Sequence, residues 1–193
     1  MTVHILKVKE NFFFILKIAM IYGVSSAVFS LIGMTVSDRQ YFPNPIETDM
    51  VQHLLGHVVF GIGVGIASLS LRYVLLAGIL PVVLDFDHFI YFTNVQAIER
   101  ASHSIFFAGL IVVIMMVIGK KDYLLWAIAF GSVFSHIAFD IFRNVAYFPL
   151  LIPLYDGYIK FNQSDWIFFE IGVFGMTGLT TIITKQNLTK KIQ

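Results

Sequence analysis

Six apolar runs follow one another along the chain, at about Phe12–Val36, Val51–Leu71, Tyr73–Leu84, Ser104–Gly119, Tyr123–Phe139 and Trp166–Thr184. A helix rises ~1.5 Å per residue, so crossing a hydrocarbon layer ~30 Å thick takes ~20 apolar residues. The first, second and sixth runs satisfy this. The third, fourth and fifth do so only if their polar ends belong to the helices, which predicts that those ends lie below the membrane surface. The composition agrees: 58% of residues are hydrophobic and 13% charged, where a soluble domain carries roughly a quarter charged. The expected fold is all-α, a polytopic membrane protein with about six transmembrane helices in one bundle. Residues 1–193 form a single domain, since the polar stretches are only short loops and tails. The first run is interrupted by Lys17 and lacks a small-x-small cleavage site, so it reads as a retained helix rather than a signal peptide.

The bias of Lys and Arg sets the orientation. With the N-terminus inside, Lys7, Lys9, Lys17, Arg72, Lys120, Lys121, Lys185, Lys190 and Lys191 are cytoplasmic, and Arg39, Arg100, Arg143 and Lys160 are outside. Nine against four predicts both termini in the cytoplasm of a protein integral to the plasma membrane. That threading, which uses only lysines and arginines, brings His53, His57, Asp85, Asp87, His88, His103, His136 and Asp140 to one outer face. Ionisable groups at membrane depth are costly and usually functional. Histidines and aspartates are metal-ligand types, so their convergence points to a metal centre. With no cysteine, thiolate ligands, disulfides and a cysteine nucleophile are excluded. No basic patch interleaved with aromatics suggests nucleic acid.

His53 and His57 are one helical turn apart and share a face that continues through Gly61 and Gly65. Those glycines let a neighbouring helix approach closely in lipid. Gly61-Ile62-Gly63-Val64-Gly65 is not a nucleotide loop, because no strand precedes it. Asp85-Phe86-Asp87-His88 places two carboxylates and an imidazole within four residues, a donor set for Zn, Mn or Fe. Phe86, Phe89, Ile90, Tyr91 and Phe92 make it a poor solvated loop, and Pro81 predicts a bend just before it. Ser102 is the expected N-cap of the fourth helix, followed by His103. Ser132, His136 and Asp140 form another one-turn stripe. One aspartate could orient a ligating histidine rather than bind. Glu47 and Asp49 are expected to cap the second helix, and Ile141–Asp165 reads as an interfacial anchor or a lid. Three carboxylate charges balance two divalent ions and one hydroxide, which favours two ions over one.

In order and approximate spacing, His53, Asp85-Phe86-Asp87-His88, Ser102-His103-Ser104 and Ser135-His136-Ile137-Ala138-Phe139-Asp140 resemble the motifs of the membrane-bound metal-dependent hydrolases of the YdjM-like group. The resemblance covers residues 50–140. Leu84 stands where that group has proline, and Glu99-Arg100-Ala101 replaces the residues before the third motif, where a histidine is usual. The resemblance implies hydrolase activity, and a distant likeness to helical zinc-dependent phospholipase C-type enzymes.

The expected function is therefore a membrane-embedded metal-dependent hydrolase. Metal-activated water attacks a phosphoester or related bond, with a membrane lipid or lipid-linked molecule as substrate. Two divalent ions, Zn, Mn or Fe, are held by His53, His57, Asp85, Asp87, His88, His103, His136 and Asp140. Asp85 is the catalytic base and Arg100 steadies the substrate anion. Phe89, Tyr91, Phe92 and Phe106 supply apolar walls. Two rivals are a metal-ion transporter and a non-catalytic assembly or regulatory protein with a structural metal. Transport is disfavoured because the inner halves of the helices offer Ser68, Ser70 and glycines but no ionisable relay. The sequence specifies no oligomer.

Overall fold

The structure is a computed structural model and describes residues 2–33, 50–93, 100–145 and 147–190. Among the described residues there are six α-helices: α1 (Thr2–Gly33), α2 (Met50–Ile66), α3 (Leu71–Leu84), α4 (Ile105–Gly119), α5 (Tyr123–Phe142) and α6 (Trp166–Lys190). A 3-10 segment, Asp85–Thr93, continues from α3. Two short antiparallel strands, β1 (Tyr147–Phe148) and β2 (Ile159–Lys160), pair between α5 and α6 with Phe148 opposite Ile159. Three stretches are long and apolar enough to cross a membrane: Val8–Leu31, Tyr123–Phe142 and Gln163–Asn187. The helices of α2 and α4 are shorter apolar elements.

The core lies along α5, whose Leu125, Ile128, Ala129, Val133, Ile137 and Ile141 are all buried. α5 packs against α2, α3, α4 and α6, and α3 packs against both α1 and α2. Large apolar side chains point outward from the other helices, among them Phe13 and Met20 of α1, Val59 of α2, Val117 of α4, and Phe168 and Ile171 of α6. So many exposed apolar side chains are more than a water-soluble bundle usually presents.

Gly61 and Gly65 do what their spacing predicts. A Cβ on Gly61 would lie 2.0 Å from the carbonyl oxygen of Ala77, and one on Gly65 2.7 Å from Cα of Val74. α2 and α3 are therefore in backbone contact. Pro81 lies inside α3. It has no N–H to donate to Ala77, the residue one turn earlier, and Gly61 presses against that same carbonyl.

The start of α4 is a correction. Its N-cap is Ser104, which accepts from the Phe107 N–H, not Ser102. The second helix also stops sooner than its apolar run, at Ile66, where Ala67–Leu69 turn the chain and Leu69 takes φ 52°. At that end of the bundle the Asp122 carboxylate caps α5 and accepts from the Tyr73 hydroxyl at 2.6 Å. The long connection after α5 is neither bare loop nor free lid: Phe148, Leu150 and Ile152 are buried, and Ile105 N–H donates to Leu150 O. Glu47 and Asp49, and the side chains of Phe89, Tyr91 and Phe92, lie outside the described residues.

Candidate metal centre

All eight ligand candidates meet at one end of the bundle. α2 presents His53 and His57 on successive turns, and α5 presents His136 and Asp140 on successive turns facing them. The 3-10 segment supplies Asp85, Asp87 and His88, and the turn before α4 supplies His103. Four groups have donor atoms all within 4.8 Å of one another: His53, His57 and Asp140; His57, Asp85 and His136; His103, His136 and Asp140; and Asp85, Asp87 and His88.

Asp85 stands at the middle. Its Oδ2 lies 3.7 Å from Nε2 of both His53 and His57. Its Oδ1 lies 3.3 Å from Nε2 of His136, 3.4 Å from that of His88 and 3.8 Å from that of His103. Asp140 divides similarly, with Oδ1 3.6 Å from His57 and Oδ2 3.6 Å from His136. Metal–donor bonds of ~2.0–2.2 Å in a tetrahedron hold neighbouring donors about 3.3–3.6 Å apart. The measured spacings are close to that. Oδ1 of Asp85, Asp87 and Asp140 is buried without a hydrogen-bond partner among the described residues. Buried carboxylate oxygens left this way are costly unless something binds them. The donor set, the spacing and these orphaned atoms fit a divalent cation.

Surrounding contacts aim the ligands. Nδ1 of His136 donates to the Pro81 carbonyl at 2.7 Å, which leaves Nε2 as the free ligand atom. That carbonyl is available because the Asp85 N–H turns to Val83 O instead of continuing the α-helical pattern. Oδ2 of Asp87 accepts from Ser102 Oγ at 2.8 Å and Ser30 Oγ at 3.2 Å. Ser26 Oγ donates to the Leu84 carbonyl. α1 thus helps position the Asp85–His88 turn, a role its sequence did not reveal. In this connecting segment, burial disfavours charge on His88, but the Asp85 and Asp87 carboxylates outweigh it and lift the imidazole to about 9. Burial, reinforced by Asp85, pushes Asp87 up despite the opposing pull of His88. Protons therefore compete with a metal for these ligands.

Arg100 reaches the same centre. Its backbone adopts φ 59°, a conformation unusual for a non-glycine residue. Its guanidinium lies 3.3 Å from Asp140 Oδ2 and over the Phe148 ring. Access to the centre is uneven: the side chains of His53, Asp85, His88 and Arg100 are 22%, 16%, 24% and 15% exposed, while His57, His103, His136 and Asp140 are buried. Sequence reading also passed over Glu170 of α6, whose Oε1 lies against Gly63 of α2. A carboxylate inside the Trp166–Thr184 run was the available signal. Comparison with protein-family models, with curated proteins and with solved structures finds no match for this chain.

Proposed function

We propose that this protein is a membrane-embedded metal-dependent hydrolase of phosphoesters, built as six membrane-crossing helices with its metal centre at the outer face. The observation that carries the reading is the placement of Asp85. Its two oxygens face separate histidine groups, so one carboxylate can serve two ions. Paired divalent ions supply a Lewis acid and a water acidic enough to attack at neutral pH.

The charge sum differs from the one drawn from aspartates alone, because Arg100 sits against Asp140. Asp85, Asp87 and Asp140 bring three negative charges and Arg100 one positive. One divalent ion makes the centre neutral, and it gains nothing from an anion. Two leave two positive charges, which a phosphate dianion neutralises. Among the three carboxylates Asp85 has the greatest access to solvent, 16% against 4% for Asp87 and 1% for Asp140. That access puts it nearest the attacking water, which a carboxylate holding both ions would orient rather than deprotonate. Arg100, partly exposed beside Asp140, would hold the phosphoryl oxygens, since a donor aimed at developing charge is most effective there.

Glu170 gives a transporter one intramembrane ionisable group, but a pathway needs more. On the same face of α6, the Thr181 hydroxyl is engaged with the backbone carbonyls of Ala67 and Thr177. A purely structural metal would not call for a partly exposed arginine beside the ligands.

The test is metal content with activity. Detergent-purified protein should carry about two divalent ions per chain. It should also release inorganic phosphate from a phosphate monoester in a reaction stopped by chelator. His136→Ala should lose most of the metal while still inserting, since insertion depends on the apolar helices. Wild-type protein that retains no Zn, Mn, Fe or Co would overturn the reading. Orientation is tested separately, because the chain has no cysteine of its own. A cysteine at Gln163 should react with a membrane-impermeant thiol reagent in intact cells, and one at Lys121 should not. The reverse pattern would put the centre on the cytoplasmic side.

A further inference from the structure

Phe86 joins the metal centre to the lipid-facing surface. It lies between two ligand candidates, Asp85 and Asp87, yet its ring packs on α1: a Cβ added to Gly23 would be 2.7 Å from it. Gly23 is eight residues inside the Leu31 end of the Val8–Leu31 stretch, a depth of ~12 Å along a helix. At that depth Phe86 is still 37% exposed. Its exposed edge therefore meets hydrocarbon if α1 crosses the bilayer. Part of the ring is exposed at the side where α1 and α2 diverge among the described residues. Among the described residues no Cα of α1 comes within 8 Å of one of α2. α3 packs against both and ends at Leu84. Past that point the two helices flank the Asp85–His88 turn without meeting, Phe86 facing α1 and Asp85 facing α2. The partly exposed ligand candidates, His53, Asp85 and His88, belong to this same turn and to the start of α2.

We propose that the centre takes a long-chain phosphate monoester from the bilayer, with the alkyl chain beside Phe86 between α1 and α2 and the phosphate at Arg100 and the ions that Asp85 would hold. This rests on the hydrolase reading above and adds the substrate class and its path. In the reaction, water oxygen forms the new bond to phosphorus as the bond to the alkyl oxygen breaks. The departing oxygen takes up the proton, giving a long-chain alcohol and inorganic phosphate. Apolar contact favours burial of the chain, and the Phe86 ring, turned away from the ligand candidates onto Gly23 of α1, supplies wall beyond its first few methylenes.

The test compares hexadecyl phosphate with butyl phosphate on zinc-loaded protein in detergent, following inorganic phosphate and bound zinc together. Wild type should prefer the long chain by at least a hundredfold in kcat/KM. Phe86→Ala should cut that preference at least tenfold while leaving zinc content and the rate on butyl phosphate unchanged. Phe86→Leu, which keeps apolar bulk, should restore most of it. Comparing variants in the same detergent cancels the concentration of the long chain in micelles. Equal losses on both substrates, or no loss on either, would overturn the chain path and leave the hydrolase reading standing. Zinc-loaded protein that cleaves neither phosphate overturns the phosphoester reading and this proposal together. A wild type that binds none of Zn, Mn, Fe or Co removes the metal centre on which both depend.

Discussion

Asp85→Asn should empty the centre of most of its metal and lower phosphate release by on the order of 10⁴-fold, the scale seen when one member of a group acting as a unit is removed. The reason is geometric. One Asp85 oxygen faces His88, His103 and His136, and the other faces His53 and His57. Asparagine keeps one oxygen and replaces the other with an N–H₂ that repels a cation. Whichever way the amide turns, one histidine group loses its anionic partner. The change also removes a negative charge from a centre that already holds Arg100, so the second ion is lost more readily than the first. Metal analysis of membranes with equal protein content decides it. Full metal occupancy with less than a threefold change in rate would mean that Asp85 does not join the two histidine groups through a metal.

The second large effect lies away from the ligands. Gly61→Val should destabilise the protein by about 3 kcal/mol, the upper end of the usual cost of overpacking, and lower its melting temperature in detergent by about 6–12 °C. The new Cβ would stand 2.0 Å from the Ala77 carbonyl oxygen and 3.0 Å from Pro81 Cγ. Backbone atoms cannot swing aside as a flexible side chain can, so α2 and α3 must separate. Because His57 is one turn along α2 and Asp85 follows α3, metal should be lost with stability. Gly109→Val is the control, since a Cβ there meets nothing within 4 Å. Equal melting temperatures for the two variants would show that the close approach of α2 and α3 is not needed.

The helices were legible because apolar runs of this length have few other folds available. Their predicted bounds differ from the observed ones mainly at the ends. The convergence of the eight candidates was legible for a similar reason: histidines and aspartates one turn apart, in runs otherwise apolar, cannot hide. What depended on distant partners did not show. Both serines of Ser102-His103-Ser104 can cap a helix, and the sequence offers no choice between them. The choice is made by Asp87, which takes the Ser102 hydroxyl and leaves Ser104 to the Phe107 N–H. Ser26 and Ser30 read as small residues in an apolar helix until the turn at Leu84–Asp87 is folded against them. Arg100 could be recognised as an anion binder but not as the partner of Asp140, forty residues on. That contact changes the charge count on which the number of ions depends.

The order of the ligands along the chain has a consequence for assembly. Among the described residues His53 is the first candidate and Asp140 the last, and α6, which follows them, brings none. During synthesis every donor to the centre is therefore made before α6. A divalent ion captured at that stage would tie α2, the turn after α3, the start of α4 and α5 together while the bundle is still open on one side. α6, which packs against α5 and α2, would then dock on surfaces whose spacing such an ion had set. Metal supply during biogenesis would act as a folding checkpoint, distinct from any demand for metal in the finished protein. Cells starved of the metal should accumulate chains whose α6 is open to protease while α1 is already inserted.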